Sequence, residues 1–235
     1  MRYVIGDIHG GSGTFSALLD QLNLQPDDCI YLLGDYIDRG PDSKGVLDII
    51  LRLMDDGYDV RPILGNHEDM LLSTLQGGAD SLADAWLGND EWGGFTLRSF
   101  GVSSVQTIPR RYLDLLESMP CLQVDDDFVF VHAGLDMSLS DPIAETSRDC
   151  MLWGDMEAPD AGSLGGRLVV TGHVVATLAQ IKKSLKSSRI YLDNGAYKNQ
   201  PPEYGHLVAL NLDSMELICQ PWLDDCAELL EYSLF

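Results

Sequence analysis

Five short blocks constrain this chain more than anything else in it. They are Gly6-Asp7-Ile8-His9-Gly10, Gly34-Asp35-Tyr36-Ile37-Asp38-Arg39-Gly40, Gly65-Asn66-His67-Glu68, His132-Ala133-Gly134 and Gly172-His173. Each follows a run rich in β-branched and apolar residues. That pattern puts carboxylates, imidazoles and an amide at the ends of several strands of one sheet. Oxygen and imidazole donors together suit manganese, iron or zinc. There are enough of them for two ions sharing one ligand, and two ions that close can clamp an in-line displacement at phosphorus.

The runs between the blocks alternate in period. Residues 3–5 read as a strand, and residues 14–22 as a helix with Phe15, Leu18, Leu19 and Leu22 on one face. Residues 29–33 form a continuous apolar strand, buried on both faces. Residues 43–54 read as an amphipathic helix that Ser43 can cap. A third strand follows at 59–64 and a helix begins at 68–75. This order predicts right-handed crossovers and a mainly parallel first sheet, with Asp7, Asp35 and Asn66 at carboxyl ends. Residues 76–119 break the rhythm and read as a mostly helical cap beside the cleft, packed by Trp86 and Trp92. Beyond it, 122–124 and 128–131 read as a hairpin. Further strands are expected at 168–171, 179–183, 190–193, 207–212 and 216–220, the last two antiparallel. The expected class is α/β (α+β): two facing mixed sheets flanked by helices, one domain over residues 1–235 with the cap inserted at about 76–119.

The 235 residues carry a net charge of −22, which repels nucleic-acid backbones and anionic membranes. Neither is an expected partner. The local cluster Lys182, Lys183, Lys186 and Arg189 reads as the solvated face of a strand or turn. Five cysteines without a CxxC pair point to free thiols in a reducing cytoplasm. No secretory signal opens the chain and no apolar run approaches bilayer length, so a cytoplasmic location is expected. The acidic, apolar tail from 224 to 235 is expected to dock on its own sheet.

Within the blocks, Asp7 and His9 lie two apart and point the same way on an extended segment. Asp35 is the natural bridging carboxylate. Asn66 offers a neutral carbonyl oxygen; His132 and His173 offer imidazoles. The expected sets are Asp7, His9 and Asp35 for one ion, and Asp35, Asn66, His132 and His173 for the other. Two carboxylates against two dications leave the centre net positive, which attracts a phosphoryl dianion and lowers the pKa of a bridging water toward ~7. Taken singly, each block has a plain structural reading as a turn or a core histidine. Jointly they point to metal. His206 keeps the plain reading, because it opens a strand.

These blocks resemble the signature of the calcineurin-like metallophosphoesterases, and the Asp38-Arg39-Gly40 ending resembles the phosphoprotein phosphatase branch. The segments Trp92-Gly93-Gly94, Thr96 to Gly101 and Asp193-Asn194-Gly195-Ala196 are also similar to bacterial members. The resemblance runs from residue 2 to about residue 212. It implies a four-layer sandwich with a dinuclear centre. It also implies three roles that the chemistry supports: Arg39, with Asn66, would bind phosphoryl oxygens, His67 would protonate the leaving oxygen, and Asp38 would orient His67 and keep it cationic. Two departures stand out. Bacterial relatives carry an arginine two residues after the tryptophan that follows the His-Ala-Gly block, where this chain has Asp155 after Trp153-Gly154. Arg148 and Arg167 are the candidate substitutes. The family's Gly-His-Thr is here Gly172-His173-Val174.

The expected reaction is direct attack on a phosphomonoester by a hydroxide held between two divalent ions, manganese first, with iron and zinc as alternatives. The leading expectation is a serine/threonine protein phosphatase acting on phosphorylated protein or a small phosphoester. The alternative is a symmetrical bis(5′-nucleosyl)-tetraphosphate hydrolase, with Trp86 or Trp92 stacking a base. A remoter one is a non-catalytic binding module on the same fold. The sequence leaves the oligomeric state open.

Overall fold

The computed structural model describes residues 1–77, 81–160, 162–198 and 202–225. The first half alternates strand and helix: β1 (Arg2–Ile5), α1 (Ser12–Leu22), β2 (Cys29–Leu32), α2 (Ser43–Asp55), β3 (Asp59–Pro62) and α3 (Asn66–Leu75). A helical stretch follows, with α4 (Ser81–Gly88), a π-helical turn (Asp90–Gly94), α5 (Phe95–Ser99), a 3-10 turn (Val105–Thr107) and α6 (Arg110–Ser118). The second half holds β4 (Leu122–Val124), β5 (Phe128–Val131), α7 (Pro142–Glu145), α8 (Arg148–Trp153), β6 (Leu168–Thr171), α9 (Leu178–Ser184), β7 (Arg189–Tyr191), β8 (His206–Asn211) and β9 (Glu216–Pro221).

Two mixed sheets result. One runs β3-β2-β1-β8-β9 and the other β4-β5-β6-β7. β1, β2 and β3 are mutually parallel, as the crossover order predicts, whereas β8 and β9 add antiparallel. In the second sheet β5, β6 and β7 are parallel and β4 pairs antiparallel with β5.

Strand alternation sorts the core into layers. Val4, Tyr31, Leu33 and Val208 from the first sheet meet Phe130, Val170 and Ile190 from the second. The Tyr31 and Phe130 rings stack 3.9 Å apart across that interface. On the first sheet's other face, Tyr3, Ile5, Ile30 and Leu32 pack against Phe15 and Leu18 of α1 and Val46, Leu47 and Ile50 of α2. On the second sheet's outer face Val129, Val131 and Val169 meet Leu135, Met151 and Leu164. Each sheet therefore buries both faces, giving four layers.

Three local expectations fail, each for a visible reason. The strand expected over 179–183 is helix α9. Thr177 accepts from the Gln180 N–H, and the Gln180 side chain accepts from the Thr177 N–H, so a capping box starts a helix there. Lys182 and Lys183 then sit in its last turn, where cations suit the helix dipole. The N-cap of α2 is Asp42, which accepts from Gly45 N at 2.8 Å, and not Ser43, which is buried. Arg189 is not solvated: it is 1% exposed.

Asp224 accepts hydrogen bonds from the Gly13 and Thr14 N–H groups, holding the start of the tail on α1. The rest of the tail, with Cys226, lies outside the described residues. Cys29, Cys121, Cys150 and Cys219 are free. No described helix is long and apolar enough to cross a membrane.

Candidate metal centre

β1, β2, β5 and β6 all deliver their following block to one edge of the sandwich, and α3 begins with Asn66 and His67 at the same edge. Turning the chain there costs regular backbone. His9, Asp35, Asp38, Arg39 and His173 all adopt positive φ between 49° and 69°. Only Asn23 and Met215 do so elsewhere among the described non-glycine residues. That left-handed region costs an ordinary residue about 1–2 kcal/mol, so the five side chains are held against their backbone preference. Gly172 is required for a second reason: a Cβ there would collide with the Asp7 carboxylate.

Asp35 lies at the middle. Its Oδ2 faces His9 Nε2 at 3.6 Å and His67 Nε2 at 4.0 Å. Its Oδ1 faces His132 Nε2 at 3.4 Å. Two donor groups share this carboxylate: His9, Asp35 and His67, and Asp35, His132 and His173. One terminal atom of the Asn66 amide lies 2.8 Å from His132 Nε2, 3.1 Å from His173 Nδ1 and 3.3 Å from each Asp35 oxygen. As nitrogen it donates to those acceptors; with the amide turned over, its oxygen joins them around a cation. Asp7 Oδ2 accepts from His173 N at 2.9 Å, while the buried Asp7 Oδ1 has no hydrogen-bond partner.

The electrostatics agree with cation binding. Burial, and then the charges of Asp193 and Asp35, push the Asp7 carboxyl well up. Burial would raise Asp35 too, but His132, His67 and His9 bring it below the usual carboxylate range. Burial pushes Asp193 up to about 6 and drops His173 to about 4. An unsatisfied buried carboxylate oxygen beside converging imidazoles is a donor set that hard and borderline divalent ions fit.

Around this centre the expected catalytic side chains are tightly held. His67 Nδ1 lies 2.6 Å from Asp38 Oδ2. Trp86 Nε1 donates to the same oxygen at 2.8 Å, and Thr96 Oγ1 donates to Asp38 Oδ1 at 2.5 Å. Burial lowers the basicity of His67, but the charges of Asp35 and Asp38 outweigh it and its pKa is raised. The Arg39 guanidinium lies 4.6 Å from the Tyr197 ring centroid and 5.8 Å from that of Trp92. Glu68 ties two blocks together: its carboxylate accepts from Gly65, Asp35, Tyr36 and Ile37 N–H. Burial and the Asp35 charge push Glu68 up to about 8 against the pull of those four donors.

The structure thus brings His9, Asp35, Asn66, His132 and His173 together, with Asp7 bound to the His173 backbone. It adds His67 to the group around His9, which the sequence reading kept apart as an acid. The candidate substitutes for a second arginine are engaged elsewhere. Arg148 is paired with Asp69 at 2.6 Å, and Arg167 donates to the carbonyls of Asp125 and Leu164. Arg189 was missed. It donates to the carbonyls of Ala133, next to His132, and of Met156, and pairs with Asp155 at 3.1 Å. His206 hydrogen-bonds Asn194. Thr96, Tyr197 and the strap at Glu68 also escaped the sequence reading, and Trp86, expected to pack the cap and found buried in the core, has a bond to Asp38 that was not expected. Thr96 and Glu68 lie inside recognised segments, and Tyr197 directly follows one, whereas nothing local marks Trp86.

Fold and centre together define a two-sheet α/β protein with a shared-carboxylate, imidazole-rich site at its strand ends. The family profile for calcineurin-like phosphoesterase matches residues 2–177, and the chain belongs to that family. A symmetrical bis(5′-nucleosyl)-tetraphosphatase of Pectobacterium carotovorum subsp. carotovorum (strain PC1) is 34% identical over 148 residues, 61% of this chain and 46% of that one. The match spans about half the length of that curated relative. A solved structure provisionally described as a diadenosine tetraphosphatase superposes with a TM-score of 0.67 at 22% identity, covering 95% of this chain and 94% of the other. A protein serine/threonine phosphatase from Saccharomyces cerevisiae gives 0.62 at 15% identity, over 95% and 80%.

Proposed function

We propose that this protein is a metal-dependent phosphoester hydrolase that cleaves dinucleoside tetraphosphates symmetrically. The hydrolase reading is carried by the sharing of Asp35 between two imidazole groups. The substrate reading is supported by the curated relatives, which are named symmetrical tetraphosphatases. It displaces the protein-phosphatase expectation as the leading one, since the phosphatase neighbour resembles the chain only in fold. We also read the described residues as one unit, because Trp86, Tyr112 and Leu116 of the helical stretch share a core with Ile5 and Leu32.

Asp7, His9, Asp35, Asn66, His132 and His173 would hold two divalent ions, manganese being the ion proposed. Such ions supply positive charge to phosphoryl oxygens and lower the pKa of water. The protein's own groups then have defined tasks. Arg39, braced between Tyr197 and Trp92, is placed to bind phosphoryl oxygens through its planar donor face. His67, protonated with the help of Asp38, is placed to give a proton to the departing oxygen. Asp38 keeps that ring oriented, and its own orientation is fixed by Trp86 and Thr96.

The deciding experiment offers diadenosine tetraphosphate and a phosphoserine peptide to the purified protein at one manganese concentration. The expected result is ADP as sole nucleotide product, with a higher kcat/KM for the dinucleotide. Phosphate release from the peptide alone would sink the substrate reading, and turnover of neither would sink the hydrolase reading.

A further inference from the structure

Beside the candidate metal centre lies a groove of about 770 Å3, within the usual range for small-molecule sites. It begins at Val174, the residue after His173, and runs outward past the carboxyl end of β7. One wall is apolar: Val174, Val175 and Ala176, with the Tyr191 ring. Another comes from α9 and the turn after it, with Lys183, Lys186 and Ser187. Asp155 and Glu157 line it as well.

Three observations make this more than a surface dent. A chain of net charge −22 has one local cluster of cations, and two of its lysines line this groove. Among the described residues neither has an ion-pair partner. Both departures from the family pattern noted in the sequence, Asp155 and Val174, also line it. Val174 is 36% exposed although it is large and apolar.

We propose that this groove binds the nucleoside diphosphate half of the substrate that carries an amino-bearing base. The Lys183–Lys186 rim takes phosphate charge, with the Ser187 hydroxyl beside it. The flat base lies against Val174, Val175 and Tyr191. Glu157, with the Oδ2 of Asp155 whose Oδ1 pairs with Arg189, accepts from the exocyclic amine. The inference rests on the tetraphosphatase reading for its choice of nucleotide.

The test is calorimetric binding of ADP and of inorganic phosphate to the full chain, with and without manganese. It is run on the parent, on Lys183→Gln combined with Lys186→Gln, and on Lys182→Gln. Lys182 is exposed and lines no part of the groove. The double variant should bind ADP about tenfold more weakly than the parent, an effect the size of one charge-assisted contact, and Lys182→Gln should match the parent. The ratio of kcat/KM for diadenosine tetraphosphate to that for an aryl phosphate should fall similarly in the double variant. Lysine-independent ADP binding overturns the groove. So does an equal loss for ADP and phosphate. If the parent fails to cleave the dinucleotide while ADP binding still needs the two lysines, the groove stands and the substrate reading falls.

Discussion

The strand ends and the helical stretch reach His67 and Asp38 from different sides and by different means. The strand ends supply the candidate ligands directly and hold three of them, His9, Asp35 and His173, in left-handed backbone along with Asp38 and Arg39, so the sheet's rigidity sets their positions. The helical stretch supplies no candidate ligand among its described residues. It acts one step removed, through the Trp86 and Thr96 hydrogen bonds to Asp38 and the Trp92 ring, 5.4 Å from that of His67. The sheet edge therefore gathers the candidate ligands, and the helical stretch holds Asp38, which contacts His67, beside them.

That division can be broken by substitution. The largest effect is expected from Asp35→Asn: a manganese-to-protein ratio below the parent's by elemental analysis, with loss of turnover, because both donor groups share that carboxylate. An unchanged ratio would remove its bridging role. Next comes His67→Asn, with turnover down about 10²–10⁴-fold, the usual share of a general acid, and full metal content. A fall in metal content would instead place His67 among the ligands, as its grouping with His9 and Asp35 permits.

A smaller effect separates the cap's role from mere packing. Trp86→Phe leaves Asp38 Oδ2 one donor short in a buried site, which should cost about 1–3 kcal/mol in urea unfolding and lower turnover less than His67→Asn. An unchanged midpoint would make Trp86 a spectator. The pH profile offers a further check. The folded pKa of His67 lies above 6.5, burial being outweighed by Asp35 and Asp38. A protonated acid is fully present below that value, and the rate falls as pH rises through it. Asp38→Asn should move this limb to lower pH, and a stationary limb would assign it to another group. The smallest effect belongs far from the centre: Thr177→Ala should remove about 1 kcal/mol through the lost cap of α9.

The same contrast explains what the sequence disclosed. The blocks after β1, β2, β5 and β6 were legible because a donor after an apolar run is a local signal. The parallel order of β1, β2 and β3 followed from the helices between them. Contacts made across the fold carry no such signal. Nothing near Trp86 in sequence announces an aspartate 48 positions away. Arg189 sits among lysines and reads as surface, yet its guanidinium is enclosed by carbonyls from distant loops. The α9 error was avoidable: Thr177 followed by Gln180 is a helix-start pattern that outranks the short apolar alternation after it.

Those five left-handed positions also bear on how such a protein can change over time. Glycine at any of them would relax the chain while deleting a reactive side chain, and a β-branched residue would worsen the conformation and lose the chemistry as well. Selection there is squeezed from two directions. On the proposed ligand roles, replacement at His9 or Asp35 in a descendant would mark retirement from the trade more dependably than a change at a buried leucine, where several neighbours of similar size would serve.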